Sequence, residues 1–208
     1  MDGAFMGKLW KRIGICLVLA ALVWCGTVLS DRETLNNGLI RLHVVANSDS
    51  EEDQAVKLKV RDAILASIQE DLQNVADVSQ AKAYLEENLP KLQSVANDAL
   101  QAAGFAPDAV VTLCREAFDI RHYDTFTLPS GVYEALRVTI GEGEGHNWWC
   151  VAFPSLCLSA TTERFAETAA EAGFPDGLTK ALSEDDGVEL RFFFLDAIGK
   201  LQTAFFAS

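Results

Sequence analysis

The chain has 208 residues, half of them apolar, and a formal net charge of −13 at pH 7. That length fits one sizeable domain or two small ones, and that apolar share excludes a disordered chain. Residues 1–30 carry +2, which leaves −15 on the rest, and a body this acidic repels nucleic-acid phosphates and anionic membrane surfaces alike.

Lys8, Lys11 and Arg12 precede Ile13 to Ser30, a stretch without a charge. A basic flank followed by an uncharged apolar run is the pattern of a secretory signal or a signal anchor, with its positive end left in the cytoplasm. At ~1.5 Å per residue the run spans roughly 27 Å, just short of a typical hydrocarbon core, so length does not separate the two. Val28 and Ser30 suit the small-residue positions before a cut at Ser30–Asp31. This divides the chain into an export segment, 1–30, an exported body, 31–160, and a C-terminal extension packed on that body, 161–208.

The body opens on a strand. Ile40, Leu42, Val44 and Ala46 alternate with Arg41, His43 and Val45. Asn47-Ser48-Asp49-Ser50 follows, and Ser48 with Glu51 fits a capping box. Glu51, Glu52 and Asp53 occupy the first turn of a helix, where the dipole favours negative charge. Val56, Val60, Ile64, Ile68 and Leu72 recur at helical spacing and carry it to about Leu72. Pro90 lacks the amide proton a helix interior needs, which predicts one helix from Gln80 to about Glu87 and another from Pro90 to Ala103.

Ala109 to Ala117 reads as a second strand and Phe118 to Leu128 as a third, with Asp119 at a bulge or tight turn. Val132 to Ile140 alternates well and leads into Gly-Glu-Gly-Glu-Gly; Trp148 to Phe153 reads as the returning strand of a hairpin. The returning strand is apolar on both faces, which suits the middle of a sheet. Beyond Cys157 a short helix runs from Glu163 to Ala172; 175–187 is turn-rich, and Val188 to Leu195 is a strand or the start of a helix. The order predicts an α+β fold with a mostly antiparallel sheet of four to five strands and helices packed on one face.

Two strings carry a resemblance. LIRLHVVANSDSEEDQAVKLKVRDAIL, from Leu39 to Leu65, and YEALRVTIGEGEGHNWWCVAFPSLC, from Tyr133 to Cys157, resemble the two signature blocks of the stage II sporulation protein R family. The likeness covers about residues 35–160 and departs at Ser155, where the family often has a second proline. It implies a non-enzymatic signalling protein of endospore-forming bacteria, exported from the forespore into the space between its two membranes. There the family triggers a membrane-embedded aspartic protease of the mother cell, which cleaves the sigma-E precursor. The implied partners are that protease and, through residues 13–30 if uncleaved, a membrane.

No catalytic, cofactor or metal site is expected. None of His43, His122 and His146 has a second ligand at zinc spacing. A hydrolase acting on the cell wall is the alternative, with His43 and Asp49 in its site. The candidate partner-binding residues are Arg41, His43, Asn47, Asp49, Lys57, Arg61, Arg137 and Trp148; some of the basic ones are expected around the Asn47-Ser48-Asp49 turn. Internal ion pairs with Asp49, Asp53 or Asp62 are the other reading of these basic residues. Trp148 and Trp149, adjacent on one strand, point to opposite faces. Cys150 and Cys157 either form a disulfide, which requires the chain to reverse near Pro154-Ser155, or pack as buried thiols.

Overall fold

The computed structural model describes residues 3–75, 77–106, 108–123, 125–154, 162–183 and 189–206. The elements are α1 (Gly3–Gly38), β1 (Ile40–Val45), α2 (Glu51–Gln73), α3 (Val78–Ala102), β2 (Ala109–Phe118), β3 (Arg121–His122), β4 (Thr127–Leu128), β5 (Gly131–Ile140), β6 (Asn147–Phe153), α4 (Thr162–Glu171), α5 (Asp176–Leu182) and α6 (Glu189–Phe206). The fold is α+β, with a four-stranded mixed sheet in the order β2-β5-β1-β6 and a small β3-β4 ladder beside it.

The expected hairpin does not form. β1 lies between β5 and β6, parallel to β5 in register Leu42↔Leu136 and antiparallel to β6 in register Leu42↔Cys150. Every residue of β1 is buried. A strand buried on both faces gains most from the centre of a sheet, and β6 is left at the edge. The glycine-rich loop therefore bridges the end of β1 instead of making a tight turn: the amides of Glu144 and Gly145 donate to the carbonyls of Asn47 (3.1 Å) and Ala46 (2.9 Å).

The alternation along the strands divides the core in two. Ile40, Leu42 and Val44 of β1 join Leu136, Val138 and Ile140 of β5 under Val60, Ile64 and Ile68 of α2 and Leu85, Leu92 and Leu100 of α3. Each such side chain contributes roughly 1.5–3 kcal/mol by burial. On the other face Tyr133, Ala135 and Val151 pack beneath Leu35 of α1, Leu39 just after it, Phe165 of α4, Leu178 of α5 and Leu195 of α6. Helices thus cover both faces, where the sequence suggested one.

Three local expectations change. The N-cap of α2 is Ser50, whose hydroxyl accepts from the Asp53 amide at 3.1 Å, while Ser48 accepts from the Ser50 amide at 3.2 Å. α3 runs unbroken through Pro90. The lost bond is outweighed because Leu85 before the proline and Leu92, Ala96 and Leu100 after it are all buried on one core. The third strand expected over 118–128 is reduced to the β3-β4 ladder, with the break after Phe118. The final stretch, open between strand and helix, is the helix α6.

α1 passes residue 30 without a break. From Trp10 to Gly38 it is long and apolar enough to cross a membrane, and most of that span is bare. Its last turns differ: Val28, Asp31, Arg32 and Leu35 are buried against the body, as is Leu39 just beyond its end.

Candidate functional site

The turn after β1 and the loop between β5 and β6 clasp each other. Asn47 donates through Nδ2 to Asp53 Oδ2 at 2.9 Å and accepts at Oδ1 from the Glu142 amide at 3.1 Å. Asp49 Oδ1 takes the His146 amide and also meets His146 Nδ1, both at 2.5 Å. Lys57, buried in the first turns of α2, donates to Gln54 Oε1 (2.5 Å) and to the His146 carbonyl (2.9 Å). Two glycines permit the approach. Gly141 has φ +54°, and a Cβ there would stand 2.2 Å from Asn47 Oδ1; a Cβ on Gly145 would stand 2.2 Å from the Ser48 carbonyl oxygen.

The clasp sets its own electrostatics. The hydrogen bond from the His146 amide, then that from its side chain, hold the Asp49 carboxyl below its ordinary value. Ser48 and then Asn47 do the same for Asp53. Burial pushes the Lys57 ammonium down, partly opposed by the charge of Asp49. These hydrogen bonds connect two distant parts of the chain.

Beyond Lys57, one turn along α2, the Arg61 guanidinium lies 4.3 Å above the Trp148 ring and donates through Nε to Asp62 at 2.8 Å. Trp148 is 37 % exposed. A cation over an exposed ring contributes about 0.5–1 kcal/mol, which favours this orientation of the indole about two- to fivefold.

The remaining candidates lie on the opposite face. Glu116 of β2 bridges His43 Nδ1 (2.8 Å) and Arg137 Nη1 (2.7 Å). Burial alone would raise the Glu116 carboxyl; the hydrogen bond from His43 and the charges of His43 and Arg137 outweigh it and hold it below its ordinary value. His43 stacks on Trp149, with ring centroids 5.7 Å apart, and Arg121 covers that indole at 3.5 Å. Arg41 is fully buried between the rings of Phe118 (4.1 Å) and Tyr133 (5.4 Å) and donates to Tyr123 Oη at 2.7 Å.

The structure therefore separates the candidates. Asn47, Asp49 and Lys57 belong to the clasp, and Arg61 with Trp148 forms the exposed edge beside it. His43 and Arg137 share Glu116 on the other face, and Arg41 points into the core, so its charge is not offered to a partner. Sequence reasoning missed Glu116, Arg121 and Tyr123. The period-2 pattern of β2 places Glu116 on a face but cannot name the strand beside it. Trp148 and Trp149 do point to opposite faces. Cys16, Cys25 and Cys114 are free thiols, whereas Cys150 is in a disulfide; Cys157, its expected partner, lies outside the described residues.

Among the described residues no group of three or more His, Cys, Asp or Glu could hold a metal ion. His43 and Asp49, which a hydrolase would need in one site, have different partners, Glu116 and His146.

Fold and site together define an α+β body with a hydrogen-bonded polar edge, carried on a helix long and apolar enough to span a membrane. The family model for stage II sporulation protein R matches residues 36–163, and the chain belongs to that family. It is 31 % identical over 180 residues to the stage II sporulation protein R of Bacillus subtilis (strain 168), a match covering 78 % of this chain and 80 % of the relative. No solved structure matches it. Its function is accordingly in sporulation.

Proposed function

We propose that this chain is an exported, non-enzymatic signal that activates a membrane-embedded aspartic protease, which then processes the sigma-E precursor. The observation that carries the reading is the family match, because it spans both strings that build the clasp. The geometry supports it in a specific way. A ligand that activates must bind the active arrangement of its receptor more tightly than the inactive one. A preorganised edge loses little freedom on docking. The exposed Trp148 ring, held under Arg61 beside the clasp, is the aromatic anchor such docking uses. Export places this edge in the intermembrane space, with α1 as signal or anchor.

The test is a reconstitution. The chain is co-expressed with the protease and the sigma precursor in a non-sporulating host, with and without residues 1–30, and precursor cleavage is followed on gels. Cleavage only with the exported form is the expected result. Absence of cleavage with a folded, exported chain and a competent protease would overturn the reading.

A further inference from the structure

We infer that docking of α1 onto α6 shields the Ser30–Asp31 bond, so that the folded body stays tethered to the membrane by its own apolar helix. The inference rests on the export reading given above. Val28 and Ser30 are suited to a signal-peptidase cut before Asp31. A peptidase takes its substrate extended, at about 3.3 Å per residue, whereas the helix here rises about 1.5 Å per residue. In the folded chain the helix runs from Gly3 to Gly38 with this bond inside it. Val28 before the bond is 2 % exposed, and Asp31 and Arg32 after it are 4 % and 2 % exposed, whereas Leu29 and Ser30 face outward, so it is the helical backbone and the buried Val28, Asp31 and Arg32 that resist an extended fit.

Several contacts with the last helix hold the segment in place. The Asp31 carboxylate takes Arg191 Nε at 2.7 Å and also meets Nη2 of the same guanidinium, a paired contact that leaves the carboxylate almost wholly covered. Gln202 Oε1 accepts from Arg32 Nε and from Asn36 Nδ2, each at 3.1 Å. Arg32 then threads a slot kept open by two glycines: a Cβ on Gly131 would stand 1.8 Å from Arg32 Nη2, and one on Gly199 of α6 would stand 2.6 Å from it. Below the bond, the Trp24 and Phe194 rings meet edge to face at 4.9 Å. Cutting the bond requires residues 28–32 to leave α6 and unwind together. Its rate then tracks the population of that open form.

The test uses the full chain purified in detergent and a purified bacterial signal peptidase, with cleavage at residue 30 read by mass spectrometry. Export is read separately, by alkaline phosphatase activity of a fusion placed after Ser208. The folded chain is expected to resist cutting. Arg191→Asp should be cut at least tenfold faster, and the exchange Asp31→Arg with Arg191→Asp should return the rate toward that of the unmodified chain. The exchange separates a broken lock from general unfolding, because it alters the same two sites and keeps the pair. Rapid cleavage of the unmodified folded chain, or an Arg191→Asp chain cut no faster than it, would overturn the inference while leaving export standing. A phosphatase fusion without activity would overturn the export reading and this inference with it.

Discussion

Trp148 and Trp149 are neighbours in sequence with different work. Trp149 is enclosed by His43 and Arg121 and stiffens the sheet face. Trp148 stands at the surface under one arginine. If the proposed protease is the partner, replacing Trp148 by Ala is expected to weaken docking to it by about 2 kcal/mol, roughly 30-fold in affinity, with little change in the unfolding midpoint. Titration of the purified body against the protease in nanodiscs measures it; an unchanged affinity would remove Trp148 from the docking surface. Arg41 is the opposite case. Its guanidinium is fully buried between two rings and bonded to Tyr123, so it belongs to the architecture of the fold.

At the scale of elements, the loop that crosses the end of β1 joins the two strings that carry the family resemblance. It works only if its backbone can lie against the turn before α2. Gly145→Ala would drive a Cβ into the Ser48 carbonyl, and the clasp would have to open. We expect a loss of about 1–3 kcal/mol in urea unfolding. Ser50→Ala removes only the cap of α2 and should cost about 1 kcal/mol, leaving the loop in place. The two variants should separate in the readout of docking, where the glycine substitution is the more damaging. α3 shows how far tertiary packing overrides local preference, since one proline does not break a helix anchored on both sides of it.

The whole molecule is acidic, yet several carboxylates are held ionised by specific partners. Asp53, Glu116 and Asp196 all have folded pKa values below their ordinary ones. For Asp196 burial works the other way, and hydrogen bonds from Lys200 and Ser130 overcome it. A depressed folded pKa contributes stability that is complete above the ordinary values of 3.8 for Asp and 4.5 for Glu and is lost as pH falls through the folded values. The urea midpoint should therefore be flat from pH 7 to about 5 and fall steadily below it. Asp53→Asn should flatten part of that fall; a midpoint as high at pH 3 as at pH 6 would contradict the assignment.

Much of this was present in the order of residues. The charge-free run after Lys8, Lys11 and Arg12 marks a helix fit to meet a membrane, and the period of Val56, Val60, Ile64 and Ile68 fixes α2 nearly to its ends. The alternation of β5 and the opposed faces of the two tryptophans were equally legible, because side-chain period reports which face is buried. Period does not report which strand lies alongside. Two strands joined by a glycine-rich loop look like a hairpin until a third, buried on both faces, takes the place between them. For the same reason the meeting of His43, Glu116 and Arg137 could not be read from a chain in which they are 21 to 94 residues apart. The union of α1 with α6 was equally hidden, since it depends on contacts spanning about 160 residues and on two glycines that leave room for one arginine. Those contacts exist only once the sheet has brought distant segments together.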